Sequence, residues 1–408
     1  MAPRRVAVSG LGVISALGHD VASFWNALTG GRPGIGPITS VDVSNIRFQN
    51  GAEVRDYDPA QHFEPARADL LDRFAQFALI AARQAIRDSG IVFTPELSQR
   101  TAIVTGSSVG GQSTQDAQFL EVYGRHSPRV HPLTIPRIMP NAGASHISME
   151  FGVSGPAFTV STACASSNHA IGQAFWMVRD GAAEVAIAGG SETPFSFGFL
   201  KAWEAMRVVA PDTCRPFSRD RHGLILGEGA AMLVLEPLER ARARGAPVYA
   251  EIVGFGMSSD AGHITTPSTD GPARAMLAAL RDGDINAEAV GYINAHGTGT
   301  ANNDSTETRA IRQVFGAHAE RLAVSSTKSM HGHALGAAGA LEAVATVLAL
   351  RHATLPPTAN FTTPDPECNL DVVPNQPRRA EVEYALSNAF AFGGLNAVLA
   401  FRRPDRKG

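Results

Sequence analysis

Two distant stretches of the chain share one pattern, an apolar run closed by Gly-x-Gly. Val6 to Val8 leads into Gly10-Leu-Gly12, and Val248 to Val253 leads into Gly254-Phe-Gly256. The elements that follow keep the same order. In the first copy, Leu70, Phe74, Phe77, Ala78, Ala81 and Ala85 recur at helical spacing and stop at Ser89-Gly90. Ala102 to Thr105 then reads as a buried strand, and Ala157 to Thr162 as a strand running into Cys164 and a helix. In the second copy the counterparts are the helix Ala273 to Leu280, the strand Val290 to Asn294, and the strand Leu322 to Ser326 with a helix from Ala334. Two further strands close each set: Val185 to Ala188 with Ala231 to Leu235, and Tyr384 to Ser387 with Val398 to Phe401. One supersecondary plan used twice explains this order, with units expected at 1–245 and 246–408. Alternation of strands and helices predicts an α/β fold of parallel sheets covered by helices. Packing the halves face to face brings matching strand ends together, where such folds bind ligands.

Composition narrows the function classes. The 408 residues carry a net charge of -3, 44% hydrophobic and 18% charged residues, with no basic excess suited to nucleic acid. The N-terminal run goes straight into a strand without an apolar leader. No stretch is read as long and apolar enough for a membrane span, so a cytoplasmic protein is expected. Cys164, Cys214 and Cys368 show no metal spacing and cannot all pair, which suits a reducing compartment. The Gly10-Leu-Gly12 loop suggests a dinucleotide site, but Ser15 stands where the third glycine belongs, and the helix capped by Asp20 starts too late to face a pyrophosphate.

Candidate chemistry gathers at the strand ends. Cys164 sits where a strand turns into a helix, facing unpaired N–H groups and the positive end of the helix dipole, which favour its thiolate. Three second-half segments have reaction-site compositions: Asn294-Ala-His-Gly-Thr-Gly-Thr300, Ser326-Thr-Lys-Ser-Met-His-Gly-His-Ala334 and Asn388-Ala-Phe-Ala-Phe-Gly-Gly-Leu-Asn396. Neutral imidazoles at His296 and His333 can hold a carbonyl oxygen as negative charge develops on it, and Lys328 can pair with a carboxylate. A zinc site from His331, His333 and Cys164 lacks a further carboxylate or thiol, and no metal is expected.

These residues resemble the β-ketoacyl-acyl-carrier-protein synthases, elongating condensing enzymes of the thiolase superfamily. The resemblance covers nearly the whole chain. It rests on the Thr-Ala-Cys-Ala-Ser turn, the His-Gly-Thr-x-Thr loop followed by Asp304 and Glu307, Thr-Lys-Ser-x-x-Gly-His with Gly336-Ala-Ala-Gly339, and the Phe-x-Phe-Gly-Gly loop. It implies thiolase-like βαβαβαββ halves layered α-β-α-β-α. Cys164 is then the nucleophile that accepts an acyl group, and His296 and His333 bind the malonyl thioester carbonyl. Lys328 organises them with Glu342, and Asp304 and Glu307 support the loop. Phe392 gates the acyl tunnel and lends a backbone donor. Thr298 and Thr300 contact the phosphopantetheine arm, and Phe390 and Val109 lie at the substrate.

The resemblance also implies acyl carrier protein as partner, a homodimer or a heterodimer with a related subunit, and no cofactor beyond the carrier's arm. Ala391, Leu395 and Ala301 stand where the pattern commonly has glycine, threonine and proline, so primary fatty-acid synthesis and a specialised polyketide or polyene pathway both remain open. Two other classes share the fold. A non-catalytic chain-length subunit typically lacks the nucleophile, and a coenzyme A thiolase would be expected to carry a second cysteine in the late loop, where Phe390 and Phe392 stand instead. His331 has no assigned role at this level.

Overall fold

The computed structural model describes residues 3–405. Met1 and Ala2 of the N-terminal run, and the last three residues of the second unit, lie outside them. Ten strands join in one sheet: β1 (Val6–Ser15), β2 (Thr101–Gly106), β3 (Ala157–Val160), β4 (Val185–Glu192), β5 (Gly229–Pro237), β6 (Ala250–Ser259), β7 (Val290–Asn294), β8 (Ala323–Ser325), β9 (Tyr384–Ala391) and β10 (Leu395–Arg402). Their spatial order is β8-β7-β9-β10-β6-β1-β5-β4-β2-β3. Read outward from the central pair, each half runs first, fifth, fourth, second, third. The repeat seen in the residues is thus a repeat of topology.

The sheet is mixed rather than parallel as expected. β2 is parallel to β3 and β4, and β7 to β8 and β9, but β5 runs antiparallel to β1 and β4, and β10 to β6 and β9. The cause is the ββ ending of each unit, which returns the last strand between the first and the fourth. β9 and β10 make this plain, since only Phe392 to Gly394 separate them and so short a link permits only a hairpin.

Among the described residues, the half-sheets pair only where Val6 to Val8 meet Ile252 to Ala250. Beyond that seam the helices Ser166–Arg179 and Ala338–His352 fill the space between them, in one core that includes residues of both halves. Arg73–Ser89 covers β1 and β5 on one outer face, and Asp270–Asp282 covers β6 and β10 on the other. The layers are therefore α-β-α-β-α.

The Gly-x-Gly segments belong to strands, not to loops. A Cβ on Gly10 would lie 2.2 Å from the Ala85 carbonyl oxygen, and one on Gly12 1.9 Å from that of Ala81. In the second half, Cβ atoms on Gly254 and Gly256 would come within 2.2 Å of Ala279 O and 2.1 Å of Ala275 O. Each pair lets an outer helix lie directly on a strand, which leaves no room for a phosphate. The stretch Leu335–His352 corrects another expectation. It is as long and apolar as a membrane span by composition, but 89% of it is buried as part of the middle layer. A helix covered on both sides by sheets is apolar all round for the same reason that a spanning helix is.

Candidate active site

Cys164 follows β3 and precedes the central helix Ser166–Arg179. Ala163 takes φ = +48°, a left-handed conformation uncommon for a residue with a Cβ. Ser166 braces the bend, its Oγ accepting from Thr162 N at 2.9 Å and donating to Ala163 O at 2.6 Å. Cys164 is buried, with 7% of the residue exposed. Burial pushes the thiol up to about 12, against the pull of Lys328 and of the backbone N–H groups of Phe392 and Cys164, while Glu192 adds to the rise. The expected thiolate is thus overturned in the resting site. Desolvation outweighs the favourable dipoles, and the sulfur carries its proton at neutral pH.

The histidines sit beyond the ends of β7 and β8. Helix Ala301–Phe315 presents Asp304 and Glu307 one turn apart, hence on one face. Glu307 accepts from the N–H groups of His296 at 2.9 Å and Gly297 at 2.8 Å, and Asp304 from those of Phe217 at 2.8 Å and Gly299 at 3.2 Å. Lys328 is fully buried, paired with the Glu342 carboxylate, and donates to His296 O at 2.7 Å. Burial lifts Glu342 to about 7 despite that lysine.

Lys328 Nζ also lies 3.4 Å from His296 Nδ1, and Leu335 N–H donates to His333 Nδ1 at 3.2 Å. With Nδ1 accepting in each ring, the hydrogen-bond network assigns the ring proton to Nε2 in both. Burial first, then the Lys328 charge, holds both imidazoles neutral, well below the usual histidine range. The rings lie 5.5 Å apart at 85°. His331 points away from this chemistry. Its Nδ1 meets Gly332 O at 2.8 Å and its Nε2 meets Thr327 Oγ1 at 2.9 Å, which makes it a satisfied core residue with no nitrogen left for a metal.

Cys164, His296, His333, Thr298, Thr300, Phe390 and Phe392 all line one cavity of about 420 Å³. The Thr298 and Thr300 hydroxyls are 2.8 Å apart, Phe390 lies 6.0 Å from the His296 ring, and Phe392 stacks on Trp203 with centroids 6.2 Å apart. Lys328, Glu342, Asp304 and Glu307 stand behind this lining. Val109 is outside it, its N–H on Glu192 at 3.3 Å.

Sequence reasoning missed Glu192, a buried carboxylate at the end of β4. It accepts from Ser107 Oγ at 2.9 Å, Ser108 N at 2.6 Å and Gly336 N at 3.0 Å, tying the turn beside Cys164 to the turn beside His333. Its only trace in the chain is an acid closing an apolar strand. Trp203 and Arg221 were missed as well. Among the described residues no cluster of three or more His, Cys, Asp or Glu is placed to hold a metal.

A cysteine and two neutral imidazoles, drawn from opposite halves of a duplicated layered fold, define a condensing enzyme of the thiolase superfamily. Comparison with known proteins specifies the family. The β-ketoacyl synthase N-terminal domain model matches residues 3–241 and the C-terminal domain model residues 249–362. Nodulation protein E of Rhizobium sp. (strain N33) is 48% identical over 98% of this chain and 99% of its own. The 3-oxoacyl-[acyl-carrier-protein] synthase 2 of Synechocystis sp. (strain ATCC 27184 / PCC 6803 / Kazusa) is 44% identical over 98% of each. Among solved structures, the ishigamide ketosynthase/chain length factor superposes with a TM-score of 0.95 at 37% identity, covering 99% of this chain and 100% of that one. A β-ketoacyl synthase from Burkholderia phymatum STM815 gives 0.92 at 35%, covering 98% and 100%. The chain belongs to the β-ketoacyl synthase family. It is an acyltransferase that catalyses β-ketoacyl-acyl-carrier-protein synthase condensation.

Proposed function

We propose that Cys164 carries the growing acyl chain and that His296 and His333 drive the decarboxylation that extends it. In the first half-reaction the Cys164 sulfur attacks the carbonyl of a carrier-bound acyl thioester. A new C–S bond forms, the carrier thiol leaves, and the cysteine proton leaves with it. In the second, the malonyl thioester carbonyl accepts from both Nε2–H groups, the bond to its carboxylate breaks, and carbon dioxide departs. The two neutral donors stabilise the enolate oxygen that results. The enolate carbon then attacks the acyl-Cys164 carbonyl, whose oxyanion meets the N–H groups of Cys164 and Phe392. Collapse expels the cysteine sulfur, which takes a proton from solvent.

The observation that carries this reading is the pair of Nδ1 atoms occupied as acceptors, which turns both rings into donors at one cavity. Cys164→Ala is expected to abolish condensation in a protein of unchanged thermal stability, assayed with purified acyl and malonyl carriers. Retained condensation would overturn the assignment.

Thr298 and Thr300 fit the amide-bearing phosphopantetheine arm of an acyl carrier protein, which makes a further cofactor unnecessary. Residues 1–245 and 246–408 are read as the two copies of the fold. The assembly is a cytoplasmic homodimer, with a heterodimer as the second reading because one structural neighbour is a ketosynthase/chain length factor. A specialised chain is kept as a reading beside a primary fatty acid, since relatives named Nodulation protein E reach 48% identity and the 3-oxoacyl-[acyl-carrier-protein] synthase 2 of Synechocystis reaches 44%. Mass spectrometry of Cys164 after incubation with carriers of graded length and unsaturation tests this. Uniform loading of ordinary saturated chains alone would contradict the specialised reading.

A further inference from the structure

Arg221 lies at the edge of the cavity with 4% of its side chain exposed, yet none of the chemistry above uses it. Its guanidinium reaches three separate segments. It donates to Ser218 O at 2.9 Å within its own loop, to Thr300 O at 3.3 Å and Ala301 O at 3.2 Å, and to the Asp365 carboxylate, with Asp304 at 4.0 Å. Directly beside it, Gly223 N–H donates to Gly299 O at 3.0 Å. The carbonyls of Thr300 and Ala301 are therefore held by one buried cation, while the Gly223 N–H group holds that of Gly299 just before them. A planar fork is needed for this, because a single ammonium cannot serve two successive carbonyls and two carboxylates at once.

We infer that Arg221 is the positioning residue for the carrier-borne arm, setting Thr298 and Thr300 against the cavity without touching the reacting atoms. The inference rests on the arm-binding role proposed for those threonines. Loss of the fork lets the Thr298–Thr300 segment move while Cys164, on the other half of the molecule, keeps its surroundings.

Arg221→Gln is expected to raise KM for an acyl-pantetheine thioester roughly tenfold while kcat changes less than threefold. Alkylation of Cys164 by iodoacetamide should stay within twofold of the parent, a readout that general loosening of the structure would shift. Arg221→Lys, which keeps the charge without the fork, should show the same KM-dominated loss to a smaller degree, and it carries the test should the glutamine variant not fold. Combined with Thr300→Val, the arginine variant should add little further loss, since both act on one segment.

Parental KM in Arg221→Lys, a fall confined to kcat, or full additivity with Thr300→Val would each overturn the inference. If Thr300→Val alone left KM unchanged, the fault would instead lie in the arm-binding role of the threonines.

Discussion

His331 and His333 stand two positions apart, yet one is sealed in the core and the other faces the cavity. Gly332 between them, at φ = +67°, turns the chain over. Composition and periodicity do not separate the two, and only the Thr-Lys-Ser-x-x-Gly-His motif singles out His333; the physical difference lies in which neighbours occupy each ring nitrogen. Cys164, His296, Lys328 and His333 were legible because each follows a strand-like run in a short segment of unusual composition. Glu192 and Arg221 were not, since every one of their partners but Ser218 comes from a distant part of the chain. Two expectations follow at this scale. His333→Ala should lose malonyl decarboxylation far more than acylation of Cys164, measured as carbon dioxide release beside the mass added to the cysteine; equal loss of both would contradict the division of roles. The rate of Cys164 alkylation should also keep rising beyond pH 9, because the buried thiol titrates near 12. A plateau by pH 8 would show a thiolate in the resting site.

Among the elements, the strands were placed well but their lengths and directions were not. β1 continues through Gly10 and Gly12 to Ser15, although glycine argues against strand interiors. What overrides that local preference is a helix whose carbonyls occupy the space where side chains would be. Gly12→Ala is therefore expected to cost about 3 kcal/mol or to prevent folding, since its methyl would meet the Ala81 carbonyl of a helix packed along its length. Gly256→Ala should behave alike at the equivalent place in the other half. Urea unfolding of both variants checks this, and a loss under about 0.5 kcal/mol would mean the helix can lift off the strand at little cost. The mixed sheet was hidden for a related reason. Alternating strands and helices suggest parallel pairing, and only the very short link between β9 and β10 betrays the reversal.

For the whole molecule, the central core couples stability to pH. His296, His331 and His333 are buried and neutral, with His331 lowered to about 3. In the unfolded chain each takes up a proton near pH 6.5, so the folded state is fully favoured above that value and loses ground as pH falls below it. The loss approaches about 1.4 kcal/mol per pH unit for each histidine. Glu342, lifted to about 7 by burial, opposes the histidines over the same range, so the test is a difference: lowering the pH from 7 to 5 should cost His331→Asn less thermal stability than the parent, and identical shifts would contradict the buried neutral state of His331.

The division of the site between the halves bears on how the chain is made. Cys164 leaves the ribosome well before His296, Lys328 and His333, and before the Phe392 turn whose N–H group meets its sulfur. A nascent or interrupted chain thus holds the thiol without the groups that put it to use. On the proposed mechanism, in which the Phe392 N–H group meets the acyl oxyanion, acyl loading of Cys164 is expected only once translation has run to the β9–β10 hairpin and the hairpin has docked.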